Sequence, residues 1–124
     1  MSRILLSIKP KYVNKILDGT KKYEFRKIIA TKHIDNIVIY CTYPQMGIVG
    51  EVEVKNLICL PVDELWKRTA DFAGISKLEF IDYYSGKKNG VAYELGKVIN
   101  YSRPIKLENY GVKYAPQSFI YLDE

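Results

Sequence analysis

Lys21, Glu24 and Arg26 fall within six residues of one another, in the segment Gly19-Thr20-Lys21-Lys22-Tyr23-Glu24-Phe25-Arg26. On an extended chain Glu24 and Arg26 share one face, and Tyr23 and Phe25 share the other. A guanidinium two residues from a carboxylate can fix that carboxylate to accept a hydrogen bond from a ligand or to remove a proton. A neighbouring lysine can donate to a phosphate or carbonyl oxygen. The same residues also make an ordinary surface ion pair with solvated lysines, so spacing leaves recognition, catalysis and plain structure open.

Ser7 and Lys9 add to this set. They stand at the exit of the apolar run Ile4-Leu5-Leu6-Ser7-Ile8, just before Pro10. A helix start there would present a favourable end to a phosphate. If the strand holding Glu24 pairs with or crosses near the first strand, then Lys9, Lys21 and Arg26 converge around a pocket. Tyr40 and Tyr43 flank Thr42 at the end of a strand-like run, and aromatic faces near basic groups suit stacking on unpaired bases. The candidate ligand-binding residues are therefore Ser7, Lys9, Lys21, Glu24, Arg26, Tyr40, Thr42 and Tyr43. In an enzyme, Glu24 would be the proton acceptor and Lys21 the electrophilic stabiliser.

Other chemistries find little support. His33 is the one histidine, and Cys41 and Cys59 form no Cys-x-x-Cys pair, so no Cys/His metal centre is expected. P-loop, His-Glu-x-x-His and EF-hand patterns are absent, and no cofactor is implied. Glu51 and Glu53 alternate with Val52 and Val54 and read as the solvent face of a strand.

The elements that must position these groups follow from periodicity and breakers. Strand 4–8 precedes a helix over 10–18, with Tyr12, Val13, Ile16 and Leu17 on its apolar side and Gly19 as a left-handed cap. Strands follow at 23–29, 37–42 and 48–60, with Gly50 marking a bulge or close approach. Pro61 opens a helical stretch carrying Leu65 and Trp66. Ser76 and Glu79 form a capping box for another helix ending near Gly86. Strands at 91–101 and 118–122 close the chain. The order β-α-β-β-β-α-α-β-β, without regular βαβ alternation, favours an α+β fold around a small β-barrel of about five to six strands with flanking helices.

At 124 residues the chain is expected to be a single domain, 1–124, with a sufficient core of its own. Its apolar runs are too short for a membrane helix. Unpaired thiols and no apolar leader point to a cytoplasmic protein. The net charge of +5 is uneven: residues 1–34 hold nine Lys or Arg against two Asp or Glu, and the remainder holds ten against twelve. Clustered positive charge attracts phosphate backbones.

The Gly-x-Lys-x-x-Glu-x-Arg order of Gly19, Lys21, Glu24 and Arg26 resembles the signature of ASCH domains, a PUA-like family. The resemblance extends through Leu6-Ser7-Ile8-Lys9-Pro10, Ile39-Tyr40-Cys41-Thr42-Tyr43-Pro44, Val49-Gly50-Glu51 and Pro116-Gln117-Ser118-Phe119, the last being similar to stand-alone bacterial and archaeal members. It implies a PUA-like barrel with a cleft lined by the Lys, Glu and Arg of the motif. It also implies a partner: RNA, single-stranded or structured, or a modified nucleoside or nucleotide. A role in RNA metabolism or transcription regulation, with a protein partner, is within the family's proposed range. One branch hydrolyses N-acylated nucleosides and another is reported to cleave RNA. The amidohydrolase branch carries a threonine where this chain has Glu24, and that departure argues against amide hydrolysis. The leading expectation is an RNA- or nucleotide-binding module. The alternative is a hydrolase, either a ribonuclease or a nucleoside amidohydrolase.

Overall fold

The computed structural model describes residues 2–122. Among the described residues, six strands and three α-helices follow one another in the expected order: β1 (Arg3–Ile8), α1 (Pro10–Leu17), β2 (Tyr23–Arg26), β3 (Asn36–Cys41), β4 (Gly47–Pro61), α2 (Val62–Thr69), α3 (Lys77–Tyr83), β5 (Asn89–Ile105) and β6 (Phe119–Leu122). Pro10 fits the first helical turn, and Gly19, at φ +86°, takes the left-handed conformation beyond its end. Ser76 and Glu79 cap α3 reciprocally.

The strands form one sheet in the order β2-β5-β4-β3-β1-β6. β1 and β3 run parallel, and the other neighbours are antiparallel. Among the described residues the terminal strands β2 and β6 do not pair, so the sheet is a curled, open relative of the closed barrel expected from sequence. Curling shows in the core. Ile4 and Leu6 of β1 pack in the same cluster as Tyr93 and Leu95 of β5, although β3 and β4 lie between those strands in the sheet. β3 is covered on both faces. Ile37, Ile39 and Cys41 enter this cluster, while Val38 and Tyr40 enter a second one with Leu5 and Ile48. A third cluster, centred on Leu65, Phe80 and Tyr84, seats α2 and α3 against β4 and β5.

Two strand boundaries differ from the sequence reading. β2 stops at Arg26 because its partner, β5, begins only two residues beyond the Arg26–Val91 pair; Lys27–Ile29 leave the sheet and expose Ile28 and Ile29. β5 continues past Pro104 to Ile105, which is tolerated because β2 pairs only with residues 91–94 and leaves the rest of that edge free. Gly50 does sit at a register break, where a Cβ would lie 2.5 Å from the Ile99 carbonyl oxygen.

Glu51 does not face solvent. It is 8 % exposed, accepts from Arg3 Nη1 (3.2 Å) and Asn36 Nδ2 (2.8 Å), and lies 3.5 Å from the Tyr101 hydroxyl. The network ties β1, β3, β4 and β5 together. Glu51→Ala strands these donors and is expected to destabilise the protein by about 2 kcal/mol, measured by denaturant melts. A loss below about 0.5 kcal/mol would mean that water replaces the carboxylate at no cost.

Candidate nucleotide-binding cleft

A cleft of about 360 Å³ opens between the end of β1, the start of α1, β2 and α3. Ser7 and Lys9 come from the β1–α1 junction, Lys21, Glu24 and Arg26 from the turn into β2, and Glu79, Asp82 and Tyr83 from α3. Although β1 and β2 do not pair, the curl brings them together: Arg26 Nη2 donates to the Ser7 carbonyl at 3.1 Å. The same Nη2 lies 3.0 Å from Glu24 Oε2. Glu24 and Arg26 thus share a face, as strand alternation requires, while Tyr23 and Phe25 stack on the other.

Lys21 is the unusual member. It is 3 % exposed, and its Nζ donates to the Ala73 carbonyl at 2.6 Å. The ammonium group lies 4.9 Å from the Phe25 ring centroid and 5.4 Å from that of Tyr12. Burial is the main cause that lowers its pKa to about 8; Glu24 opposes the shift, and the charges of Lys15 and Arg26 add to it. Its backbone is fixed by a bond from Lys21 N to the Lys15 carbonyl, and the next residue bonds from Lys22 N to the Phe72 carbonyl. The segment 70–76 thereby roofs Lys21.

Arg26 retains an unused donor. Its Nε is buried and has no acceptor among the described residues, which leaves one donor of a cleft-lining guanidinium unspent. Glu79 is committed to Lys11, Tyr12 and the Ser76 amide, and the Lys11 hydrogen bond is the first cause holding its carboxyl down to about 2. The Ser7 hydroxyl donates to the Pro116 carbonyl at 2.8 Å, which leaves it an acceptor for ligands. The start of α1 offers an anion little. Pro10 has no N–H, and the amides of Tyr12 and Val13 are spent on the Lys9 carbonyl.

Tyr40, Thr42 and Tyr43 fall outside the cleft. Tyr40 is 5 % exposed and packs in the core beneath β3, while Tyr43 is 79 % exposed in the β3–β4 turn. The aromatic groups at the cleft are instead Tyr12, Phe25 and Tyr83. Sequence reading missed α3 as a cleft wall because Glu79 announced itself only as a capping residue. It missed the Ala73 carbonyl because backbone oxygens carry no sequence signal. Nor do the basic residues of the first 34 positions form one patch. Arg3 is bound to Glu51, Lys11 to Glu79, and Lys22 and Lys27 lie over Phe72 and Tyr83.

The family model of the ASCH domain matches residues 6–109. The chain belongs to the ASCH domain family. An ASCH domain-containing ribonuclease of Zymomonas mobilis is 29% identical over 92 residues, which are 73% of this chain and 62% of the relative. Two Ureaplasma parvum proteins, large ribosomal subunit protein uL22 and ATP synthase subunit alpha, match 96% of this chain at 28% and 25% identity. The chain spans only 39% and 15% of their respective lengths. Among solved structures, the ASCH protein of Zymomonas mobilis superposes with a TM-score of 0.90 at 27% identity, covering 98% of this chain and 88% of that one. A tyrosine-to-phenylalanine variant of it gives 0.91 at 26% identity over 100% of this chain and 92% of that one. Full-length superposition on an ASCH protein establishes the α+β, PUA-like fold.

Proposed function

We propose that this ASCH domain binds single-stranded RNA, seats one unpaired nucleotide in the cleft and cleaves the strand there. The observation that carries the reading is Lys21: a buried amine with its pKa lowered to about 8, in a cleft that also holds Glu24 and Arg26. An amine so placed can exchange a proton near neutral pH. The unsatisfied Arg26 Nε and the exposed Lys9 would take phosphate oxygens. In cleavage, uncharged Lys21 would accept the ribose 2′-hydroxyl proton as that oxygen bonds to phosphorus. The 5′-oxygen would leave with its bonding electrons and take a proton from water at the open mouth. Glu24, held by Arg26, would orient the nucleotide by accepting from a base amino group or the ribose. The ribonuclease name of the Zymomonas relative is consistent with this chemistry.

Recognition without cleavage is the second reading, favoured by the spare donor of Arg26. Glu24→Gln separates the two. Labelled single-stranded RNA incubated with the wild type at low salt should be both shifted and shortened. The variant should shift it with similar affinity but shorten it about tenfold more slowly. RNA that the wild type shifts but leaves intact, with and without EDTA, would make the domain a binding module.

A further inference from the structure

A second cavity, of about 200 Å³, is not used by the proposed chemistry. Lys32 and His33 of the β2–β3 connection and Lys55 and Asn56 of β4 line it, with Tyr93 of β5. Tyr93 is only 2 % exposed. Its hydroxyl accepts from the Ala30 amide at 3.4 Å, but among the described residues its own proton meets no acceptor. A buried hydroxyl with an unspent proton, in a cavity also lined by two lysines and an amide, is suited to an anionic oxygen.

The position of this cavity relates it to the cleft. Tyr93 is the register partner of Glu24 on one side and of Leu57 on the other. Directly paired residues project to the same face with Cβ atoms about 5 Å apart, so the Tyr93 side chain leaves the sheet beside that of Glu24. Arg26 is close enough for its charge to act on the Tyr93 hydroxyl. Along the chain, only Lys27, Ile28 and Ile29 separate Arg26 of the cleft from Ala30 of the cavity, a path of at most about 14 Å. Ile28 and Ile29 are 60 % and 42 % exposed, which offers apolar surface between the two sites.

We infer that this cavity is a phosphate subsite for the RNA strand whose nucleotide occupies the cleft, with Lys55 and the Tyr93 hydroxyl as its donors. The inference rests on the RNA reading above. An oligonucleotide engages both sites, whereas a mononucleotide engages only the cleft.

Fluorescence anisotropy with a labelled single-stranded 2′-O-methyl RNA 12-mer, which lacks the hydroxyl that cleavage needs, and with a nucleoside monophosphate tests this. Lys55→Ala and Tyr93→Phe should each weaken the 12-mer by roughly threefold to tenfold, and Lys55→Ala should lower its salt slope by about one. Neither should change mononucleotide binding. Unchanged 12-mer affinity in both variants, or equal losses for both ligands, overturns the subsite. Inorganic phosphate titrated into isotope-labelled protein gives a check that needs no RNA. Amide shifts in residues 30–34 and 54–57 support the subsite, and shifts confined to the cleft overturn it while leaving the cleft reading intact.

Discussion

Lys21→Met is expected to remove RNA cleavage and, at neutral pH, to make the protein more stable. The amine is buried with a pKa lowered from 10.5 to about 8. Between those values the folded chain holds fewer protons than the unfolded chain, so stability rises with pH across that window. Below pH 8 the full penalty for burying the charge is present, on the order of 3 kcal/mol for a shift of 10.5 − 8 = 2.5. Methionine matches the length of the lysine stem, lies well against Phe25 and Tyr12 and carries no charge. It leaves the Ala73 carbonyl without its donor, which costs about 1–2 kcal/mol. The net gain at pH 7 is therefore about 1 kcal/mol, or roughly 4 °C in Tm for a domain of this size, and above pH 10.5, where the penalty for burying the charge is gone, it should reverse to a loss of about 1–2 kcal/mol. Cleavage should fall at least about 100-fold, as expected for loss of a positioned proton acceptor. In the wild type the rate should climb as pH rises through about 8, where Lys21 loses its proton. Melts at pH 7 and pH 10.5 with an RNA gel decide the matter. A variant that melts lower at pH 7 and still cleaves would mean that Lys21 is a structural residue.

Much of this arrangement was legible in the chain because it depends on local signals. Pro10 and Gly19 bracket α1, Ser76 and Glu79 start α3, and strand alternation puts Glu24 and Arg26 on one face. The fate of each lysine was not legible. Lys21 and Lys22 are adjacent and chemically identical, yet Lys21 is buried under segment 70–76 while Lys22 is exposed over Phe72. What separates them is a long-range contact, and the Ala73 carbonyl that receives Lys21 lies 52 residues away. Glu51 makes the same point from the other side. Alternation with valines predicts an exposed face, but the curled sheet brings Arg3, Asn36 and Tyr101 over it. Tyr40 looked like a stacking residue at a strand end, but β3 is covered on both faces and leaves it no solvent side.

Gly74→Ala should disable the same lysine from the opposite wall. Gly74 has φ +69°, a left-handed conformation that costs an alanine about 1 kcal/mol. A Cβ there would stand 2.5 Å from Lys21 Cβ and Cγ and 2.7 Å from Cδ. These atoms are not the free end of a flexible chain. The Lys21 backbone is bonded to Lys15, and Cβ and Cγ cannot retreat without moving it. The roof segment must lift or the lysine must leave, and either movement breaks the bond to the Ala73 carbonyl. Together these effects should cost about 3 kcal/mol of stability and at least about tenfold in cleavage. An expelled Lys21 regains water, so the pH dependence of the remaining activity should move toward the ordinary lysine range. The double variant with Lys21→Met supplies the control. If Gly74 acts through Lys21, adding Gly74→Ala to Lys21→Met should cause almost no further loss of cleavage in the folded fraction, a strongly non-additive cycle. Additive losses in that cycle would mean that Gly74 serves the cleft by some route other than its close contact with Lys21.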